Sequence, residues 1–363
     1  MLISSDKNIL ETKDLSIGYT KKNKQIEIQS SLNLQLKKGE LCCLIGPNGV
    51  GKSTLLRSFS AELNSLSGDI LLDGTSIKNY DSQQLSKNLS IVLTESVYIP
   101  NMTVKELIAM GRFPYTNFWG KINNKDREKV DEAINLLSLQ SLANRNFIEL
   151  SDGEKQKVLI AKALAQDTPL ILLDEPTAFL DFPSKMAILA ELRKIAHQKN
   201  VGIILSTHDL ELALKMADLI WLLPEKNKVQ TGIPEDLVLK GAISKAFSND
   251  ILSFDLKTAH FIQNIKSVDV LNIEGNSIEI EWLKRALIRK GISANTKQSM
   301  PLKAYYDSKR REFIIEKENE IFAAFTSIDK ILTVIENTKF NNYEKDTSLF
   351  INYRNNYDNR LQH

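Results

Sequence analysis

Between about Glu11 and Lys240, hydrophobic positions fall into two alternating patterns. Short runs are apolar at nearly every position, and longer stretches place apolar residues at three- and four-residue intervals. The short runs, residues 41–45, 69–72, 90–93, 170–173, 202–206 and 218–223, predict strands buried on both faces, as in a mainly parallel sheet covered by helices. The alternation as a whole predicts an α/β layer architecture. A helical block interrupts it between about residues 97 and 165 and predicts a separate lobe. Thr103 with Glu106 reads as a capping box opening a helix that stops at Gly111, and Val130, Ala133, Ile134 and Leu137 follow helical spacing.

Past an expected linker over residues 243–266, a second unit is predicted over residues 267–340. Residues 268–273 read as a strand, Asn276 as an N-cap with Glu279 behind it, and Ile280, Leu283 and Leu287 as the buried face of a helix ended by Gly291. Residues 312–317 and 320–325 suggest a hairpin, with Ser327 capping a last helix to about residue 336. From residue 341 to 363 the chain is rich in Asn, Tyr and charge and reads as a flexible tail. The first domain is thus expected over residues 1–242.

Composition adds limits. The 363 residues carry 47 basic and 45 acidic side chains, a net charge of +2, so no global field draws the chain to nucleic acid. The two cysteines, Cys42 and Cys43, are adjacent in an apolar run and read as small buried hydrophobes rather than a disulfide or a metal site. Residues 1–13 hold no apolar stretch of signal-peptide type, and the apolar runs fall short of the ~20 residues that a membrane helix needs. Any service to a membrane is therefore expected from a peripheral subunit on its cytoplasmic face.

Four segments carry candidate chemistry. Gly46-Pro47-Asn48-Gly49-Val50-Gly51-Lys52-Ser53 follows a predicted strand and precedes a predicted helix beginning at Thr54, the context a phosphate-binding loop needs. Its glycines let backbone N–H groups turn toward phosphate oxygens, Lys52 reaches the β- and γ-phosphates, and the Ser53 hydroxyl suits Mg²⁺. Four apolar residues then lead into Asp174-Glu175-Pro176, where Asp174 can hold Mg²⁺ and Glu175 can take a proton from an attacking water. Ser206-Thr207-His208-Asp209 follows another buried run, which should bring His208 to the same sheet edge as Glu175. Ser151-Asp152-Gly153-Glu154 opens a helix with a capping box and offers a hydroxyl and a glycine N–H to a phosphate. The loop at Lys52 already fills that role within one chain, so this last motif suggests donation to a second subunit.

Over roughly residues 9–241 these residues, in this order, resemble the ATP-binding subunits of ABC transporters. The resemblance implies a P-loop NTPase of ABC type: a RecA-like core, an antiparallel β subdomain and a helical subdomain, with a small C-terminal α/β domain added here. By the same resemblance Tyr19 matches the aromatic that stacks on adenine, and Gly46, Asn48, Gly49, Gly51, Lys52, Ser53 and Thr54 match the Walker A loop. Ser151, Asp152 and Gly153 match the signature motif, Asp174 and Glu175 Walker B, Asp181 the D-loop, and His208 the switch histidine. ATP and Mg²⁺ are the implied ligands, with Ser53, Glu95 and Asp174 toward the metal and Glu175, His208 and Lys52 toward hydrolysis. The implied partner is a second, head-to-tail copy, the two sharing two ATP molecules.

Two positions depart from the family pattern. Glu95 stands where a glutamine is usual, and the signature reads Leu-Ser-Asp-Gly-Glu, with Asp152 expected to point away from phosphate. Residues 101–107 and Gly111-Arg112-Phe113-Pro114-Tyr115 resemble the segment found in ATPases of iron(III)-siderophore, haem and vitamin B12 importers. This implies integral membrane permease subunits as partners and, indirectly, an external substrate-binding protein. Phe113, Tyr115, Phe118 and Trp119 either face a permease helix or fill the lobe's own core. The alternatives are an ABC transporter ATPase for another substrate, or a non-transport ABC ATPase. The latter class usually carries two cassettes in one chain or a long coiled-coil insertion, and neither is present here.

Overall fold

The computed structural model describes residues 7–337 apart from 22–23, 94–98, 117–120, 179, 226–227, 257, 265–268, 296–301 and 318–319. These residues divide into two compact units, Met1–Ile262 and Gln263–His363.

The first unit opens with β1 (Asn8–Lys21), β2 (Lys24–Leu32), β3 (Gln35–Lys37), β4 (Leu41–Ile45), α1 (Lys52–Phe59), β5 (Ser67–Leu72), β6 (Thr75–Ser76), α2 (Ser82–Asn88) and β7 (Leu89–Val92). The helical lobe follows with α3 (Val104–Ala109), α4 (Asn124–Leu136) and α5 (Asp152–Ala165). Then come β8 (Leu170–Leu173), α6 (Phe182–Lys199), β9 (Gly202–Ser206), α7 (Leu210–Met216), β10 (Leu219–Leu222), β11 (Gln230–Gly232), α8 (Pro234–Leu239), α9 (Ala242–Phe247), β12 (Leu252–Asp255) and β13 (His260–Gln263).

Two sheets organise this unit. In the larger the order is β11-β10-β4-β9-β8-β7, parallel except for β11 at one edge. Each residue of β4, β8 and β9 is buried, which explains their unbroken apolar runs. Each leucine or isoleucine among them, withdrawn from water, contributes about 1.5–3 kcal/mol before entropy is counted. The second sheet, β2-β1-β5-β6 with β3 also on β1, is antiparallel. It takes residues 69–72, which sequence pattern alone grouped with the parallel strands. Their partner, β1, lies some sixty positions earlier, and a pairing so distant leaves no local periodicity to read.

In the lobe, the capping box at Thr103 and Glu106 forms, but α3 ends at Ala109 and the chain continues in 3₁₀ turns through Tyr115. Gly111 is therefore not the helix stop that its position suggests. A Cβ there would lie 2.2 Å from the Lys162 carbonyl oxygen, so glycine is what lets this segment lie against α5. Beside it the buried Arg112 donates to Asp126 Oδ1 at 3.0 Å and to the carbonyls of Ala165 and Gln166 at 2.8 and 3.2 Å. One guanidinium thus pairs a buried carboxylate and satisfies the last carbonyls of α5. Within the expected linker, Phe254 is buried and meets the Phe261 ring edge to face at 5.3 Å, both in the core of the first unit.

The second unit holds β14 (Asp269–Glu274), α10 (Ile278–Arg289), β15 (Ile292–Asn295), β16 (Leu302–Asp307), β17 (Glu312–Lys317), β18 (Glu320–Phe325) and α11 (Ile328–Asn337). Its sheet runs β15-β14-β16-β17-β18, parallel around β14 and antiparallel from β16 onward. Leu271, Ile273, Leu283, Leu287, Ile315 and Ile331 form a core of its own. The N-cap of α10 is Ser277, whose hydroxyl accepts from Ile280 N–H at 3.4 Å, one position beyond the expected Asn276.

Candidate functional site

The site begins where parallel strands end. In register, Leu44 lies beside Ser206 and Leu173 beside Leu205, so the residues that follow β4, β8 and β9 emerge together at one sheet edge. Sheets of this kind bind ligands at that carboxyl edge.

From β4 the chain turns at Gly46 into the phosphate-binding loop and enters α1 with Gly51 as N-cap. A Cβ on Gly46 would sit 2.2 Å from the Leu223 carbonyl oxygen, so only glycine allows the loop to leave between β4 and β10. Lys52, 7% exposed, donates from Nζ to the carbonyls of Gly46 at 2.8 Å and Pro47 at 3.0 Å, which holds its ammonium over the loop. Burial pulls the pKa of Lys52 below the usual lysine range, while the charges of Glu175 and Asp174 oppose that fall. A desolvated cation at the start of a helix is prepared for phosphate oxygens. Thr54 in the first turn of α1 shares a 2.7 Å hydrogen bond with the Tyr19 hydroxyl, which ties β1 to the start of that helix and leaves Tyr19 45% exposed.

At the end of β8, Asp174 Oδ1 accepts from the Ser53 hydroxyl at 3.1 Å and from the Ser206 hydroxyl at 2.6 Å. Ser206 Oγ also accepts from the Glu175 N–H at 2.9 Å. Glu175 stands in the left-handed region, φ 47°, directly before Pro176. That backbone is strained for a residue with a Cβ. His208 Nδ1 lies 3.7 Å from Glu175 Oε2, so the two side chains expected to meet do meet. Ser206 was missed as a site residue: it closes an apolar strand and resembles any polar strand end, and only strand register reveals that its hydroxyl bridges the two carboxylate positions.

The signature segment opens α5, on the helical lobe. Ser151 caps α5 in a capping box with Glu154, whose pKa is lowered first by the Ser151 N–H it accepts. Asp152 points into solvent with its side chain 77% exposed, 3.8 Å from Lys155 Nζ. Among the described residues, no hydrogen bond or ion pair joins Ser151, Asp152 or Gly153 to the phosphate-binding loop. Asn48 and Gly49 lie in that loop, and Asp181 caps α6 by accepting from Ser184 N–H at 3.1 Å; the Ser184 hydroxyl first, and then this N–H, lower its pKa. Glu95, Phe118 and Trp119 lie outside the described residues. Of the other two aromatics, Phe113 is 53% exposed and Tyr115 stacks on the Arg112 guanidinium at 3.9 Å.

Residues 29–178 match the family model of the ABC transporter. An uncharacterized ABC transporter ATP-binding protein of Methanocaldococcus jannaschii is 36% identical over 264 residues, which cover 73% of this chain and 87% of that relative. This chain is an ATP-binding protein of the ABC transporter family. The petrobactin import ATP-binding protein FpuD of Bacillus anthracis is 36% identical over 238 residues, 66% of this chain and 86% of that protein. A solved dimeric ATP-binding cassette in a post-hydrolysis state, bound to ADP and Pi, superposes with a TM-score of 0.54 at 26% identity, covering 62% of this chain and 98% of that one. As in other ABC ATPases, the activity is ATP hydrolysis coupled to transport. No helix among the described residues is long and apolar enough to cross a membrane.

Proposed function

We propose that this chain powers an importer of an iron chelate, working as a head-to-tail pair of copies beneath a membrane permease. The hydrolytic part rests on one observation above all: Glu175 and His208 face each other at 3.7 Å beside the Ser53–Asp174 pair. The import part rests on the likeness to FpuD over 86% of that protein's length.

In this reading the loop N–H groups and Lys52 hold the β- and γ-phosphates, and Tyr19 stacks on adenine. Ser53 and Asp174 present hard oxygens 3.1 Å apart, which fits Mg²⁺; when bound, it would offset negative charge on those phosphates. Glu175 takes a proton from water as the water oxygen attacks the γ-phosphorus. The bond from that phosphorus to the bridging oxygen breaks, and its electron pair leaves with ADP. His208 holds the γ-phosphate and keeps Glu175 aimed. Ser151 and Gly153 of the second copy close the pocket, since among the described residues of one copy they make no hydrogen bond or ion pair to it. Glu95 acts toward the metal, and its carboxylate accepts hydrogen bonds where an amide would also donate.

The permease docks against the first unit on its cytoplasmic side. Supporting this is a groove of about 570 Å³ lined by Leu85, Ile91, Leu159 and Lys162, which offers apolar side chains and one cation to a partner. Burial lowers the pKa of the Lys162 ammonium in its wall. The Gln263–His363 unit is an accessory to the ATPase.

The test is Glu175→Gln. ATP should still bring two copies together, and turnover should fall at least about 10²-fold, the contribution expected of a general base. With the permease in proteoliposomes, wild-type chain should drive ATP-dependent uptake of a ferric siderophore. Normal hydrolysis by the Gln variant would remove the base, and uptake of only unrelated cargo would remove the import assignment.

A further inference from the structure

Lys185 lies in the opening turn of α6, where the positive end of the helix dipole disfavours a cation. Its ammonium is held by a carboxylate on another element: Nζ lies 3.4 Å from Asp209 Oδ2, with the two side chains 19% and 22% exposed. Asp209 is the residue after His208 and has a second task. Its Oδ1 accepts from Leu212 N–H at 3.3 Å and so caps α7, while its own N–H donates to Thr207 Oγ1 at 3.0 Å. A further contact joins the same helices, with Lys215 Nζ of α7 lying 5.9 Å from the centre of the Phe182 ring at the start of α6.

The start of α6 is fixed by Asp181, and the start of α7 is the segment that carries His208. We infer that Lys185 is a positioning residue for His208: by gripping Asp209 it fixes the backbone that presents the imidazole to Glu175, and it makes that placement follow the Asp181 turn. A lone carboxylate capping α7 would leave His208 on a hinge free to swing about one helix end. The second oxygen, held from α6, removes that freedom. The ammonium of Lys185 is engaged by Asp209, so its effect is expected to reach the reaction through His208. This inference rests on the reading of Glu175 and His208 as the hydrolytic pair.

The experiment measures MgATP turnover of the full chain in Lys185→Gln, Asp209→Asn and the double variant, with Lys185→Arg as the conservative control. Asparagine caps helices as well as aspartate does, so Asp209→Asn removes the ion pair and keeps the cap. Each single variant should lower kcat about three- to tenfold with KM and thermal midpoint unchanged, the double should match the singles, and Arg should restore most of the rate. In a His208→Ala background, Lys185→Gln should cause no further loss. Wild-type kcat in either single variant, additive losses in the double, or an undiminished loss without His208 would each overturn the inference. Failure here with Glu175→Gln still inactive would leave the hydrolytic reading standing, whereas normal turnover in Glu175→Gln would defeat that reading itself.

Discussion

At the scale of single residues, the cluster at the ends of β8 and β9 depends on oxygen atoms serving more than one partner. Ser206 Oγ donates to Asp174 and accepts from the Glu175 N–H, so one hydroxyl fixes the carboxylate and supports a strained backbone. Ser206→Ala would leave that N–H without its acceptor and remove one of the two hydroxyl donors to Asp174 Oδ1. The expected cost is about 1–3 kcal/mol of stability in urea unfolding, together with a larger proportional loss of turnover because Glu175 loses its aim. Equal turnover in the variant and the parent would show that Glu175 is held by other means. Lys52 follows the opposite logic, since burial disfavours its charge and leaves the ammonium ready for phosphate.

At the scale of elements, the helical lobe is held to its own helix end by Arg112. Its guanidinium is buried with Asp126 and satisfies the terminal carbonyls of α5, so removing it strands a carboxylate and two acceptors at once. Arg112→Met should destabilise the first unit by about 3–5 kcal/mol, read from its unfolding transition, and a loss below about 1 kcal/mol would contradict this account of the lobe.

The elements also show where sequence is informative. The loops after β4, β8 and β9 were legible because each chemical group follows an unbroken apolar run at fixed spacing. Ser206 was not, because its importance arises from the register between β8 and β9, which lie about thirty residues apart. The pattern of residues 69–72 predicts a strand, but its sheet depends on β1, and the position of Gly111 predicts a helix stop where the reason for glycine is the α5 backbone beside it. Capping boxes at Thr103 and Ser151 were legible because both partners lie within four residues. The cap at Ser277 was missed by one position because Asn276 and Ser277 are both good caps, and backbone dihedrals decide between them.

At the scale of the whole molecule, the central claim is that the nucleotide pocket is completed by a second copy. Among the described residues of one copy no hydrogen bond or ion pair joins Ser151 or Gly153 to Lys52, while ATP held between copies would join them. Cysteine crosslinking reads this directly, because the native thiols do not compete: Cys42 and Cys43 are buried, and burial pushes the Cys43 thiol up to about 12. The deciding measurement mixes Asn48→Cys protein with Ser151→Cys protein, both carrying Glu175→Gln, under mild oxidation. The account predicts a disulfide-linked pair of unlike copies that forms with ATP and not without it. No linkage in saturating ATP, or linkage at the same rate in its absence, would contradict it.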